Sequence, residues 1–240
     1  MFSELVDTVI RRTNRPDFKE DIIAYVNETM RAVQNDSLFT RDMVEDVAYD
    51  INKEENIVDP LNVYVWKRPP RMRQLRAVAY ENRMGMDRYY PVNIPPSNTQ
   101  LPHDSYYYGS GDSIVFCDSA GLFIIKVAYY QNFRTLKYYE EGKRPAVFNT
   151  DTEQWSYLNE NGEYVDTLED EVAEQQAREL VSNWLLMDYQ GLLINGANTK
   201  VFSVLNDPRN KVEYSNFQTA LKDLRRIEKY EATGYNKFKG

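Results

Sequence analysis

Side chains suited to nucleophilic, acid–base or metal chemistry are few in this chain of 240 residues. The single histidine, His103, stands beside Asp104 and Ser105, which together are the three residue types of a hydrolase triad. Adjacent residues cannot reach one another with triad geometry, so the sequence predicts a histidine in a surface loop. The single cysteine, Cys117, has no activating partner close to it in sequence. One cysteine and one histidine exclude an internal disulfide and metal sites built from several thiolates or imidazoles.

The remaining short motifs do not favour catalysis either. The Gly-Ser-Gly run at 109–111 lacks the third glycine and the following helix of a phosphate-binding loop. Acidic runs at 54–55, 140–141 and 169–171 are typical of solvated faces in an acidic protein. The acids at 163–174 do not have the spacing and central glycine of a calcium loop. We therefore expect no catalytic residue, no metal, no cofactor and no enzymatic activity.

Composition favours a protein that interacts with other proteins. Hydrophobic residues make up 42% and charged residues 28%, which is typical of a folded domain. There are 19 tyrosines, a residue type enriched at interfaces because it joins an apolar ring to a polar tip. The net charge of −8 disfavours a non-specific nucleic-acid coat. Since no apolar run is long enough for a bilayer and the first residues do not resemble a signal peptide, we expect a soluble protein made inside the cell, without a membrane partner.

One basic stretch stands out against this acidic background. Between residues 66 and 88 there are seven Lys and Arg residues and only two acids, with tyrosine and tryptophan between them. Such a stretch can contact nucleic-acid phosphates, or it can form a seam between subunits opposite an acidic surface such as 36–59 or 151–174. The seam is favoured because blocks of both signs occur in one chain. A second basic run, at 222–239, fits either docking onto a partner or a solvated face.

The interface candidates come from both basic runs. They are Lys67, Arg68, Arg71, Arg73 and Arg76 in the first, and Tyr235, Lys237, Phe238 and Lys239 at the end of the chain.

Hydrophobic spacing predicts helices at both ends of the chain and strands between them. Two helices are expected before residue 36, and segment 36–59 fits a strand or a helix. Strands are expected from 63 to 131, with an antiparallel pair formed by 112–116 and 122–130 across a turn at 117–121, and a hairpin at 154–165. A helix at 169–195 that stops at Gly196, a short helix at 197–205 and a last helix from Asp207-Pro208 to about Tyr230 should follow.

The predicted fold class is α+β, mainly α. The N- and C-terminal helices should form a helical bundle with an inserted antiparallel β subdomain and an extended C-terminal tail. The expected boundaries are 1–36 for the first bundle helices, 37–167 for the β-rich insertion, 168–230 for the last helices and 231–240 for an extended arm.

Four segments of the chain share a pattern with one known family: the opening helices with Leu5, Val6, Ile10 and Arg31; the strand region with Trp66, Pro69, Met72, Arg73, Val78 and Tyr80; the tyrosine-rich strand from Leu122 to Tyr130 that continues to Leu136; and the closing helix pair with Val201, Phe202, Tyr214, Phe217, Leu221 and Leu224. In these segments the chain resembles the head-to-tail adaptor proteins of tailed bacteriophages, also called connector or head completion proteins. Together these segments span nearly the whole chain.

This resemblance implies a structural virion protein without catalytic residues. It would form a ring of its own copies, a dodecamer in that family, in the neck of the virion between the capsid portal and the tail. The expected partners are the portal protein, a tail nozzle or other tail protein, and double-stranded DNA that passes through the channel without sequence specificity. The ring would extend the DNA channel and help retain packaged DNA. The helices would form the ring, and the tail after Tyr230 would dock on a neighbour.

Two other functions remain open. The chain fits a nozzle or baseplate component of a phage tail, and less well a sequence-tolerant DNA-binding protein that uses residues 67–88. The tyrosine- and proline-rich loop at 89–111 matches no motif of the adaptor family.

Overall fold

The computed structural model describes residues 1–50, 63–82, 85–88, 90–91, 105–118 and 124–236. The helices are α1 (Phe2–Thr13), α2 (Lys19–Asp36), α3 (Glu171–Val181), α4 (Trp184–Asp188), α5 (Gln190–Val204) and α6 (Arg209–Asn236). The strands are β1 (Met43–Tyr49), β2 (Val63–Lys67), β3 (Met72–Asn82), β4 (Gly85–Arg88), β5 (Tyr90–Pro91), β6 (Ser105–Ser110), β7 (Ser113–Asp118), β8 (Ile124–Gln131), β9 (Ala146–Asn149), β10 (Gln154–Leu158) and β11 (Tyr164–Val165). The described chain is therefore a mixed α+β protein whose strands pair almost entirely antiparallel, which confirms the predicted α+β class. None of the described helices is both long and apolar enough to span a bilayer.

The chain divides into two compact units. Residues 42–132 form a β-rich unit, and residues 1–41 join 133–240 in a helical unit. The division differs from the expected insertion at 37–167, because the β9–β11 sheet belongs with the helices. Ala146 of β9 and Tyr157 of β10 pack with Val181 of α3 in a small apolar core, which fixes this sheet to the helical unit.

The first two helices lie where hydrophobic spacing predicts them. Asn14 ends α1 in the left-handed conformation, with φ of 55°, and Pro16 begins a short 3₁₀ turn before α2. The apolar stripes of α1 and α2 share one core with α4, α5 and α6; its largest fully buried members are Phe2, Ile22, Met30, Phe39, Leu136, Leu185 and Leu186. Helix α5 is buried along most of its length in this core.

An extended segment, residues 133–139, lies against α1 and α2 and is held through its backbone. The N–H of Phe133 donates to Oε1 of Gln34 at 3.1 Å. The amide of Asn27 bonds both backbone groups of Leu136, accepting from its N–H at 2.8 Å and donating to its carbonyl at 3.0 Å. The bonded residues Phe133 and Leu136 are three positions apart on the segment, and their partners Gln34 and Asn27 are seven positions apart on α2. Three residues of an extended chain and seven residues of a helix both span about 10 Å, so the two pairs of partners are matched in spacing.

The hydroxyl of Ser3 holds the other end of this segment. It accepts from the N–H of Tyr139 at 3.0 Å and donates to the carbonyl of the same residue at 2.8 Å. Ser3 and Asn27 are both buried, as is Gln34 at the far end. Buried polar side chains therefore satisfy the backbone of a segment that joins no sheet.

The expectation of one helix at 169–195 is wrong, since three helices, α3 to α5, occupy this region. Ser182 is extended, and the side chain of Asn183 accepts from the N–H of Leu186 at 2.9 Å to cap α4. An asparagine side chain that caps a new helix competes with continuation of the previous one. Gly196, the expected stop, lies inside α5 and is buried there.

The expected extended arm at 231–240 is also wrong for its first six residues, because α6 continues to Asn236. No proline interrupts this stretch, and a single glycine costs a helix only about 1 kcal/mol. Tyr235 therefore lies in the last turn of α6. Lys237, Phe238 and Lys239 lie outside the described residues.

The β-rich unit contains two four-stranded sheets. One has the order β1-β8-β3-β4 and is antiparallel; the other has the order β2-β7-β6-β5, in which only β5 and β6 are parallel. Their shared core is aromatic: the ring centroids of Trp66 and Tyr129 are 6.0 Å apart, and those of Tyr49 and Tyr64 are 4.9 Å apart. Of the ambiguous acidic segment 36–59, residues 40–42 form a 3₁₀ turn and residues 43–49 form strand β1; residues 51–59 lie outside the described part.

Strands β7 and β8 are not paired with each other, so the predicted antiparallel pair at 112–130 is wrong. Strand β7 pairs with β2 and β6, whereas β8 pairs with β1 and β3 in the other sheet. Both strands are buried and apolar, and such runs do not identify their partners from local sequence. Of the expected turn, 119–121 lies outside the described residues.

The hairpin predicted at 154–165 is confirmed by the antiparallel pairing of β10 with β11. The side chain of Asn159 accepts from the N–H groups of Asn161 and Glu163, at 3.0 and 2.9 Å, and Gly162 has φ of 81°. This turn chemistry could be read from the sequence.

Asn198 of α5 is a polar residue whose replacement should stabilise the protein. It is 1% exposed, and neither atom of its amide has a hydrogen-bond partner among the described residues. Leucine has the same number and branching of side-chain heavy atoms and no polar group to desolvate, so Asn198→Leu should raise the free energy of unfolding by about 1–2 kcal/mol. Urea denaturation measures the change.

The matched control is Asn216→Leu, at an exposed position of α6. It should change the free energy of unfolding by no more than about 0.5 kcal/mol. A loss of stability in Asn198→Leu would contradict the prediction.

Candidate functional site

The basic side chains of the β-rich unit begin at the tight turn between β2 and β3. The N–H of Arg68 donates to the carbonyl of Asp112 at 2.9 Å, which extends the β2–β7 pairing by one step past Lys67. The N–H of Met72 donates to the carbonyl of Pro69 at 2.9 Å and closes the turn. The end of β2 and the start of β3 therefore meet at one corner of the unit.

Five of the predicted interface residues lie on or next to this corner. We call the surface that they form the arginine surface: Lys67, Arg68, Arg71, Arg73 and Arg76. Lys67, Arg68 and Arg76 are exposed, whereas Arg71 and Arg73 are half-buried. Of the other basic residues in the stretch, Arg83 lies outside the described part of the chain and Arg88 belongs to β4.

Two β-bulges position the arginines of β3. The pairing of β3 with β8 shifts register twice, and the extra residue is Arg73 in the first shift and Arg76 in the second. A bulge breaks the strict alternation of side chains and redirects the extra residue. Both arginines consequently reach the same residue of β8, Tyr130.

Tyr130 is buried beneath these two guanidinium groups. Nη1 of Arg76 donates to the hydroxyl of Tyr130 at 3.3 Å and also lies 3.2 Å from the sulfur of Met43. The guanidinium carbon of Arg73 is 6.0 Å from the centre of the tyrosine ring, and its Nη2 is 3.8 Å from Oδ2 of Asp42. The carboxylate of Asp42 is fully buried, so Arg73 is a structural anchor as well as a charge.

Arg68 and Arg73 line the same small cavity, of about 140 Å³. Its other lining residues are Met72, Gln74, Leu75, Tyr107, Gly109 and Ile114. A Cβ added at Gly109 would lie 2.8 Å from Nη2 of Arg68, so glycine leaves room for the guanidinium beside β6. The side chain of Arg68 makes no hydrogen bond or ion pair with the residues that the structure describes. Its donors are therefore available to an anion of carboxylate or phosphate size.

The structure groups only part of the candidate set. The five basic residues of the first run share the arginine surface, whereas Tyr235 lies in the helical unit. Asp42, Gly109 and Tyr130 complete the surface and were not singled out as part of it from sequence. They lie far from the basic run in sequence, and the bulges that align them depend on strand register, which leaves no local signal.

Cys117, the single cysteine, is not part of the arginine surface. His103 and Asp104 lie outside the described residues. Cys117 of β7 is buried and faces Tyr106 of β6 in the strand register. Burial is the main cause that raises the pKa of the Cys117 thiol and raises the pKa of Tyr106 to about 12. Within the described ranges, no group of three or more His, Cys, Asp or Glu side chains could hold a metal ion.

Cys117 should consequently react slowly with thiol reagents. A buried thiol with a raised pKa forms little thiolate, so alkylation by iodoacetamide at about pH 8 should be at least tenfold slower in the folded protein than in urea. Mass spectrometry of quenched samples gives both rates from one site, because the chain has a single cysteine. Equal rates in the two conditions would contradict the buried position.

No protein-family model matches this chain, and no curated protein matches it.

Proposed function

We propose that this protein is a structural virion protein, a head-to-tail adaptor that forms a ring between portal and tail. The observation that carries the proposal is the way the chain is divided: both of its ends contribute to one helical unit, and the β-rich unit is inserted between them. The adaptor family that the sequence resembles implies the same order. The finer fold assignment, a helical bundle of N- and C-terminal helices, is part of this proposal.

Exposed apolar side chains on the helical unit support an assembling protein. Val212 is 62% exposed and Tyr214 is 54% exposed on α6, and Val204 at the end of α5 is 56% exposed. Helix α6 has 28 residues and is about 42 Å long, which offers a long face to a neighbouring copy. Burial of such side chains between copies would stabilise a ring.

The charge of the chain is compatible with a DNA channel. A net charge of −8 disfavours tight binding to phosphates, so DNA could pass without being held. Under this proposal, the partners are further copies of the chain, the portal protein, a tail protein and double-stranded DNA read without sequence specificity. The place of the protein is the virion neck.

Quantitative cross-linking mass spectrometry of purified virions tests the proposal. About twelve copies per particle, cross-linked to the portal protein, are expected because a closed ring matches the symmetry of its template. About half that number, cross-linked only to tail proteins, would replace the adaptor with a nozzle or baseplate component. Absence from virions would overturn a structural role.

A further inference from the structure

The arginine surface has an acidic counterpart on the helical unit of the same chain. Between residues 60 and 80 there are five basic side chains and no acid, whereas between 145 and 177 there are nine acids and neither Lys nor Arg. The acidic segment comprises β9, β10, β11 and the first turns of α3.

Eight of the nine acids point into solvent: Asp151, Glu153, Glu160, Glu163, Asp166, Glu169, Asp170 and Glu171. The ninth, Glu174, is half-buried and forms an ion pair with Arg178. None of the eight exposed carboxylates forms an ion pair with a residue of the described chain. They form an uncompensated negative surface on a sheet and helix that have their own small core.

Each charged surface also carries an exposed apolar side chain. Val65 of β2 is 58% exposed and lies two residues before Lys67, on the same face of the strand. Val172 of α3 is 59% exposed and follows the run 169–171 directly. Apolar contact surrounded by charged groups is the usual composition of a protein–protein interface.

We infer that the arginine surface binds the acidic segment of a second copy of this chain, with a carboxylate of that copy in the cavity between Arg68 and Arg73. This inference rests on the proposed function, in which copies assemble into a ring. The two surfaces are different parts of one chain, so the contact is head-to-tail and can be repeated until a ring closes.

The cavity favours a protein carboxylate over DNA. A volume of about 140 Å³ accepts a carboxylate, and a guanidinium group bonds a carboxylate with two parallel hydrogen bonds. Asp42 already balances much of the charge of Arg73, which weakens attraction to a polyanion. An exposed Val65 has no counterpart on a phosphate backbone but matches Val172.

Two charge-reversal variants and their mixture test the inference. Lys67→Glu/Arg68→Glu reverses the arginine surface at two exposed positions, and Asp166→Arg/Glu169→Arg reverses the acidic segment at two others. Sedimentation velocity at low salt should show self-association of the wild-type chain, which each variant weakens at least about tenfold. The equimolar mixture should recover association, because every contact between the two variants again joins opposite charges.

The matched control is Arg12→Glu/Lys137→Glu, at two exposed positions of the helical unit outside α6 and the acidic segment, which makes the same change of net charge as the first variant. It should self-associate like the wild type. Unchanged thermal melting of all three variants would show that the reversed charges do not act by unfolding the chain.

The inference would be overturned if the wild-type chain stayed monomeric at high concentration and low salt, or if the mixture did not recover association. It would also be overturned if Lys67→Glu/Arg68→Glu lost binding to duplex DNA while its self-association stayed unchanged. These outcomes are separate from those of the proposed function. A ring held by other surfaces would still give about twelve copies per virion with cross-links to the portal.

Discussion

Gly196→Ala should destabilise the protein by about 2–3 kcal/mol, although alanine is the better helix former by about 1 kcal/mol. A Cβ at this position of α5 would lie 2.3 Å from Cγ2 of Thr29 and 3.1 Å from two ring carbons of Phe217. Thr29 is fully buried and its hydroxyl donates to the carbonyl of Tyr25 at 2.7 Å, so its methyl group cannot turn away. Chemical denaturation measures the loss.

Two further variants distinguish this clash from a general effect of the substitution. Gly191 lies in the same helix with no atom within 4 Å of an added Cβ, so Gly191→Ala should be neutral or stabilise by up to about 1 kcal/mol. Thr29→Ser removes the methyl group and keeps the hydroxyl, so combining it with Gly196→Ala should recover most of the loss. If Gly196→Ala were stabilising, the close packing of α2, α5 and α6 would be incorrect.

Asn27→Ala should cost about 3 kcal/mol or more. The substitution leaves the N–H and the carbonyl of Leu136 without their partner in a buried position, and each such group costs about 1–3 kcal/mol. The free energy of unfolding from urea denaturation gives the total. Hydrogen exchange at the amide of Leu136 locates the effect, because this N–H should lose its protection before the helices do.

Asn216→Ala is the matched control, since Asn216 is exposed on α6. It should alter the free energy of unfolding by no more than about 0.5 kcal/mol. Retained protection of the Leu136 amide in Asn27→Ala would be inconsistent with the role assigned to this side chain.

The parts of the fold that were predictable from sequence are those set by local chemistry. Apolar stripes gave α1 and α2, and the Asn-Gly turn gave the β10–β11 hairpin. Local chemistry also bears on the helix that was predicted too long, because Asn183 is tolerated inside a helix but favours the position that caps the next one. The choice depends on the burial of Leu185 and Leu186, which is a tertiary property.

The pairing of the strands and the arrangement of the candidate site depend on contacts between residues distant in sequence, which local sequence patterns do not predict. Strands β7 and β8 are adjacent in sequence yet lie in different sheets, because each of them completes a different half of the aromatic core. The basic residues of the candidate site could be identified from the sequence by their charge. Their arrangement around Tyr130 and Asp42 follows from two register shifts in the pairing of β3 with β8, a strand more than 40 residues away in sequence.

The way in which residues 133–139 are held has an evolutionary consequence. Ser3, Asn27 and Gln34 bond the backbone of this segment, so these hydrogen bonds do not depend on which side chains the segment itself carries. Only Leu136 is fully buried among them. We expect related chains to keep a serine, an asparagine and a glutamine at separations of 24 and 7 residues while the segment itself drifts. These hydrogen bonds can therefore persist while the side chains of residues 133–139 change.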